Sequence, residues 1–477
     1  MDPVIFQNTP EGRKAFQDLA LRIIEWIGSY YQQIETYPVR SQVQPGEVYK
    51  QFSDELPADP RPHDALFETL EKVILPGITH WQHPHFYAFF PGNTSFPSIA
   101  AEMLTAGISA QCMLWESSPA AAELEQRCTE WCRDLLGLPK SWSGVINDTA
   151  SSATLTALLT AREWKSDFSI SKRGFGGTVY RIYTSAQAHS SVEKAVRLAG
   201  FGTDNLVFIP TDEQLRMKPE LLEAAIQADL REGFIPTAVV STIGTTGTGA
   251  IDPIAPISVI AQQYGLWHHV DAAYAGTALM LSEYAHLRDG LDGADSFVFN
   301  PHKWMFVQFD CSIYYVKDPG LLIRTMSINP SYLMTAQGAV VNDYRDWGIP
   351  LGRRFRALKL WMTLHMLGTE AIQQRLRHHI NLGRRVEELL SSSPFLQPVY
   401  PRSININTFA IRRDIDPDGN MTRQLSSMIN ASGQAYMTHA KIEGRSLIRW
   451  VTGQTYTQMH HIDETWQAIH KLIDQMK

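Results

Sequence analysis

Between about Trp81 and Leu351 short apolar runs alternate with helical patterns, and that alternation leaves few folds open. Residues 181–185, 237–243, 266–270 and 296–299 are rich in Val, Ile, Phe, Tyr or Trp and predict strands. Helical patterns at 191–198, 219–230, 256–264 and 283–291 separate them. Strand–helix–strand repetition predicts an α/β fold, a mainly parallel sheet with helices on both faces. In such a sheet ligands sit beyond the carboxyl ends of the strands. The four predicted ends carry Gln187-Ala188-His189, Gly244-Thr245-Thr246-Gly247, His269-Val270-Asp271 and Asn300-Pro301-His302-Lys303. An imidazole, a hydroxyl, a carboxylate and an amine thus converge on one edge.

Taken singly, these residues have ordinary explanations. A lysine after a strand is usually a solvated charge, and an aspartate is often a cap or turn residue. Lys303, however, runs into Trp304-Met305-Phe306-Val307, and an amine in apolar surroundings loses its proton readily and becomes a Schiff-base nucleophile. Asp271 lies between Val270 and two alanines, where a carboxylate without a cationic partner is costly. His269, two residues earlier on the same strand face, is expected to orient that carboxylate. A further short strand, 143–146, enters Asn147-Asp148-Thr149-Ala150-Ser151-Ser152 and then a helix. The first turn of such a helix offers free N–H groups to an anion. The glycines at 174, 176 and 177 follow no predicted strand and read as a loop.

Flanking this core, Thr9-Pro10 opens a helix with an apolar stripe at Phe16, Leu19, Ile23, Ile24, Ile27 and Tyr30. A second short helix is predicted over 64–74. Two helices on an extended strap cannot bury their own stripes and are expected to clasp the main domain or a second subunit. Beyond about Arg353 the chain is helix-rich from 355 through 390, with strand-like pieces near 404–411 and 446–452 and a final helix at 463–476. The expected division is an N-terminal clasp (1–80), a large α/β domain (81–352) and a small α+β domain (353–477).

A net charge of −7 over 477 residues, with no long basic run, gives no footing for nucleic acid or anionic membrane. Four cysteines make no disulfide scaffold. No signal-peptide pattern or apolar run of spanning length is seen, so a soluble cytoplasmic protein is the expectation.

With these motifs in hand, the chain resembles the aromatic L-amino acid decarboxylases, group II pyridoxal 5′-phosphate (PLP) enzymes of fold type I. The likeness runs from Tyr37-Pro38-Val39-Arg40 to the last helix. It is carried by Asn300-Pro301-His302-Lys303-Trp304, His269-Val270-Asp271-Ala272-Ala273-Tyr274-Ala275-Gly276, Ala188-His189-Ser190-Ser191-Val192-Glu193, Thr79-His80-Trp81 and Pro350-Leu351-Gly352-Arg353-Arg354-Phe355. The resemblance implies that Lys303 holds PLP as a Schiff base, Asp271 keeps the pyridine nitrogen protonated and His189 stacks on the ring. It places Ala150, Ser151, Asn300 and His302 around the phosphate or the substrate carboxylate, and Thr246 and Ala273 by the cofactor. It makes Tyr332 the residue that helps protonate Cα. It also implies a homodimer in which Leu351 and Gly352 approach the other subunit's cofactor.

Trp81, Phe86, Phe89, Phe90 and Pro91 resemble the family's substrate-pocket wall. Gly92 stands where animal members often carry threonine, Met113 where they often carry phenylalanine, and Gly352 where some tyrosine-preferring plant relatives carry serine. Small Gly352 leaves room for an indole. Relatives that release an aldehyde often replace the loop tyrosine or the stacking histidine; both are retained here, which favours the amine-forming reaction. A metal hydrolase built on His83, His85, His268, His269 and Asp271 is the remote rival, and a non-catalytic binding module a weaker one.

Overall fold

The computed structural model describes residues 8–328 and 341–476. Seven strands make the main sheet: β1 (Ser143–Asn147), β2 (Tyr180–Ser185), β3 (Leu206–Ile209), β4 (Ile235–Thr242), β5 (Trp267–Asp271), β6 (Ser296–Phe299) and β7 (Ser312–Val316). Their order is β1-β7-β6-β5-β4-β2-β3. Neighbours among β2 to β6 pair in parallel, whereas β7 runs antiparallel to both β6 and β1. β1 therefore points the same way as β6, and six carboxyl ends share one edge.

Both faces are buried, as expected where crossover helices cover a parallel sheet. Phe297 and Phe299 enter one apolar cluster with Ile146, Val270 and Ile313. Val298, between them, enters another with Val145, Val240 and Tyr314. This alternation is the two-residue period of a strand acting on two cores at once.

The second sheet, antiparallel, comprises β8 (Leu396–Ser403), β9 (Ile406–Ile411), β10 (Thr438–Ile442) and β11 (Arg445–Val451), in the order β10-β11-β9-β8. Helices Thr369–Ser392, Asn420–Ala431 and Met459–Met476 cover it. β8 holds two prolines, Pro398 and Pro401, which an edge strand tolerates because half its N–H groups face no partner.

The expected α/β architecture is present, with local corrections. β3, β7, β8 and β10 were not anticipated. Residues 283–291 do not form an α-helix; the chain makes 3₁₀ turns at Ser282–Arg288 and Leu291–Gly293. Gly290, between them at φ +86°, turns the backbone left-handed. A Cβ there would lie 2.3 to 2.7 Å from Ala255 atoms, so only glycine allows that approach.

The first helix, Pro10–Gln32, starts at the expected Thr9 cap, whose hydroxyl accepts from Gly12 N–H. Its C-terminal end docks: Tyr31 meets Phe96 and Tyr456 edge-on, and Tyr30 Oη bonds His80 Nδ1. Upstream of that end, Phe16, Leu21, Ile23 and Ile24 are exposed. Among the described residues no helix is long and apolar enough to cross a membrane.

Candidate active site

The shared carboxyl edge gathers the residues singled out above. Asp271 ends β5 and is 5% exposed. One carboxylate oxygen accepts from Ala273 N–H at 3.0 Å, and no ion-pair partner reaches it among the described residues. Lys303 follows β6 on the single turn Pro301–Trp304, capped by Asn300. Its amine lies 5.2 Å from the centre of the Phe90 ring and, among the described residues, has no carboxylate within ion-pair distance. Burial pushes its pKa down, nearby Asp271 pulls it back up and Arg449 lowers it further. The amine is thus poised to lose its proton and attack.

His189 follows β2. Its Nδ1 accepts the Ser191 N–H at 3.1 Å, which leaves the proton of the neutral ring on Nε2. Burial lowers its pKa against an opposing pull from Asp271, so both groups share one electrostatic environment with Lys303. His302 is held the same way: its Nδ1 accepts the Cys311 N–H at 2.9 Å, and burial drives its pKa down to about 3. It is a neutral Nε2–H donor throughout the physiological range, and unsuited to carrying a proton there.

At the adjacent end of β1, helix Ala150–Lys165 begins at Thr149 without a side-chain cap. Ala150 is buried and Ser151 exposed, and among the described residues no side chain caps the first-turn N–H groups, which suits them to an anion. Asn147 contributes a buried amide nitrogen that has no partner among the described residues. Asn300 spends its carbonyl on Ser312 Oγ at 2.6 Å. Thr246 sits half-buried in the turn after β4, where Gly244 (φ +90°) packs so close to Ala275 that a Cβ would meet Ala275 Cβ at 2.6 Å.

The aromatic stretch splits in two. Phe90 stacks on Tyr274 at 4.0 Å, Tyr274 stacks on Trp304 at 5.1 Å, and the column stands beside Lys303. Each such pair adds about 0.5–1.5 kcal/mol beyond its buried area. Trp81 and Phe89 stack at 5.6 Å and remain partly exposed, with Gly92 beneath: a Cβ there would touch the Trp81 ring at 3.8 Å. Pro91 is buried. Phe86 departs from the expectation. It is fully buried with Val39 and Ala88 and belongs to the core.

His269 is a second correction. It does not hydrogen-bond Asp271; its Nδ1 meets Ser296 Oγ at 2.9 Å and its Nε2 meets Thr154 Oγ1 at 3.5 Å. The β5–β6 register sets Ser296 directly beside it, and a hydroxyl alongside outcompetes a carboxylate two residues ahead. His268 is bound between Ser241 and Ser258, so neither imidazole is free to ligate. The segments that carry Met113 and Gly352 meet each other. Gln111 accepts from Arg353 N–H, its amide nitrogen lies 3.3 Å from where a Gly352 Cβ would be, and Met113 O accepts from Arg345 N–H. No described contact joins this pair to Lys303, and Gly352 is exposed. Tyr332 lies outside the described residues.

Three further residues complete the site. Asn405 donates to Tyr274 Oη at 2.7 Å, and Gly453 packs against that hydroxyl so tightly that a Cβ would collide with it. Arg449 on β11 reaches Gly247 O, Thr438 Oγ1 and Phe89 O. An arginine amid Leu447-Ile448 and Trp450-Val451 was the available sequence signal, since a cation in an apolar strand must have a specific partner.

Four buried imidazoles (His83, His268, His269 and His302) are held near 3 by burial. Their unfolded value is about 6.5. Below that pH the unfolded chain binds protons that the folded chain refuses. Stability is complete above 6.5 and lost as pH falls toward 3, by about 1 kcal/mol per imidazole per pH unit. Asp252, raised to about 6 by burial, opposes this together with the raised Asp295 and Asp346, while the depressed His379 and His461 add to the imidazole side. The thermal midpoint is therefore expected to fall steadily from pH 7 to pH 5; a flat profile would show that these rings are solvated.

A mainly parallel α/β sheet with an unpaired carboxylate, a deprotonatable lysine and a neutral imidazole at its carboxyl edge defines a fold type I PLP enzyme. The residues fit that cofactor. Asp271 lacks a cation and a pyridinium supplies one, while the uncapped helix and the orphaned Asn147 amide offer donors to a phosphate. The conserved domain of the pyridoxal-dependent decarboxylases matches residues 45–399, and the chain belongs to that family. It is 39% identical over 462 residues to phenylacetaldehyde synthase of Arabidopsis thaliana, covering 94% of both chains. Tryptophan decarboxylase of Catharanthus roseus, solved in complex with L-tryptophan, superposes with a TM-score of 0.93 at 35% identity over 99% of this chain and 100% of that one. Oryza sativa TDC, solved with PLP and tryptamine, gives 0.95 at 32% identity over 98% and 100%.

Proposed function

We propose that this protein decarboxylates aromatic L-amino acids to arylalkylamines and carbon dioxide, using PLP. The observation that carries the reading is the meeting of Lys303, Asp271 and His189 beside the Phe90–Tyr274–Trp304 column, in a family whose similar members act on aromatic amino acids. Lys303 would hold the cofactor through its amine. Asp271 would keep a proton on the ring nitrogen, and His189 would lie against the ring face. Ala150, Ser151 and Asn300 would hold the phosphate, with Thr246 and Ala273 beside the ring. When bound, PLP supplies the electron sink for loss of the carboxylate. His302 would present its Nε2–H to the substrate carboxylate and fix its orientation. Trp81, Phe89, Phe90, Pro91, Gly92 and Met113 would shape the side-chain pocket and exclude water from it. Tyr332 would deliver the proton to Cα.

A cytoplasmic homodimer is part of the same reading. Its supports are the uncovered Phe16–Ile24 face, the exposure of Leu351 and Gly352, and four free, buried thiols. Gly352 would face the second copy's site. The division at residue 352 is supported by the two separate sheets, and the N-terminal clasp is taken to end at residue 80. Gly352 leaves space for an indole, which favours tryptophan.

The deciding experiment is mass spectrometry of products after PLP-loaded protein meets a panel of tryptophan, tyrosine, phenylalanine, dihydroxyphenylalanine, histidine and glutamate. Amines from the aromatic members are expected. No turnover of any aromatic member would overturn the substrate class. The second reading, aldehyde synthesis, draws on the Arabidopsis relative, and the retained Tyr332 and His189 weigh against it. Tyr332→Phe is accordingly expected to move the main product from amine to aldehyde; an unchanged ratio would remove Tyr332 from the proton-delivery step.

A further inference from the structure

Arg449 is 4% exposed, yet no carboxylate pairs with it among the described residues. Its donors go to neutral acceptors on three segments: Gly247 O at 3.0 Å, Thr438 Oγ1 at 2.7 Å and Phe89 O at 3.2 Å. The first of these closes the turn that carries Thr246. The last lies on the aromatic wall. The guanidinium stands 5.3 Å from the Phe90 ring centre, and the Lys303 amine stands 5.2 Å from the same centre.

We propose that Arg449 is a positioning residue of the active site: it clamps the Gly247 turn and the Phe89 wall to β11, and its unneutralised charge, sharing the Phe90 ring with Lys303, discourages a second cation there. The inference rests on the reading of Lys303 given above. A buried guanidinium is expensive unless its nitrogens find acceptors, and three directed bonds give each nitrogen a neutral acceptor without cancelling the charge. Leucine or glutamine could fill the space but would carry no field. Repulsion from Arg449 and burial both favour the neutral amine, while Asp271 opposes them. Burial also lowers the pKa of Arg449 itself, to about 10, which still leaves it charged at neutral pH. The other titratable groups facing Lys303 are His302, on its own turn, and His189, after β2; both are depressed and uncharged. Asp271 and Arg449 are thus the two charges that set the balance.

The test is a pH titration of the visible absorbance of the holoenzyme, which follows protonation of the lysine–cofactor link. Removing a like charge favours the protonated form. Arg449→Gln is expected to raise the apparent pKa by about one unit, a tenfold change in the protonation equilibrium. Arg449→Lys keeps the charge but has a single nitrogen and cannot span acceptors on three segments, so it should leave the titration in place while KM for the amino acid rises several-fold. A folded Gln variant that titrates like the parent would overturn the proposal. Should that variant fail to fold, the Lys variant decides. Unmoved titration with raised KM supports the proposal, and a one-unit shift despite the retained charge overturns it. Borohydride fixation and peptide mapping in each protein keep the two readings apart. A label away from Lys303 would sink the Lys303 assignment, whereas a label on Lys303 with an unmoved Gln titration would sink only the role of Arg449.

Discussion

Lys303→Ala is expected to abolish borohydride-fixable cofactor and to lower turnover of aromatic amino acids by roughly a thousandfold or more. The change should leave the fold standing. The Lys303 N–H bonds Asn300 O and its carbonyl accepts from Asn93 Nδ2 at 2.6 Å, contacts that alanine retains. Trp304 keeps its hydrogen bond to His379. A second lysine sharpens the expectation. Lys359 is fully buried, yet its amine pairs with Glu102 at 2.6 Å and bonds Gln308 at 3.1 Å. An amine held in that way is committed to its carboxylate, whereas Lys303 has no such partner among the described residues. Fixed cofactor on any other lysine in the alanine variant would refute the assignment.

Asp271→Asn is expected to lower kcat by about 10²–10³-fold with a much smaller change in KM. Asparagine keeps the shape and can still accept the Ala273 N–H through its carbonyl oxygen. What it lacks is the negative charge, set 5% exposed at the end of β5. In surroundings that dry, a charge acts on its neighbours far more strongly than in water. Both depressed groups beside it, His189 and Lys303, are pulled upward by this carboxylate. The Asn variant should therefore also titrate its lysine–cofactor link at lower pH than the parent. Asp271→Glu, with charge kept but displaced, should recover part of the loss. Full activity in the Asn variant would mean that the carboxylate serves only to cap the turn.

The strand ends were legible because polar residues interrupt apolar runs there: Asp271 after Val270, His189 beyond Ser185, Lys303 before Trp304. Each is a local contradiction, and local contradictions survive in a linear reading. β3 and β7 were missed for the converse reason. Leu206–Ile209 is only four residues long, and Ser312–Val316 pairs antiparallel with residues 143–147, a partnership no local pattern announces. His269 was misassigned because alternation gives the face a side chain takes but not which neighbouring strand supplies its partner. The β5–β6 register decided that. The Asn405–Tyr274–Gly453 contact and the reach of Arg449 join segments far apart in sequence, and only the folded chain brings them together.

The Tyr274 hydroxyl, wedged against Gly453 and held by Asn405, has a consequence for anyone recombining this chain with a relative. The aromatic column beside Lys303 rests on a residue from one half of the sequence and a missing side chain from the other. A crossover placed near residue 353 looks harmless on an alignment, since it falls between the two sheets. It nevertheless separates Tyr274 from the glycine that makes room for it. A parent with a larger residue at that point would tilt the ring, and with it Phe90 and the pocket wall, without altering any residue that touches substrate. Specificity in such chimeras is inherited as a pair of positions, and the two must be exchanged together.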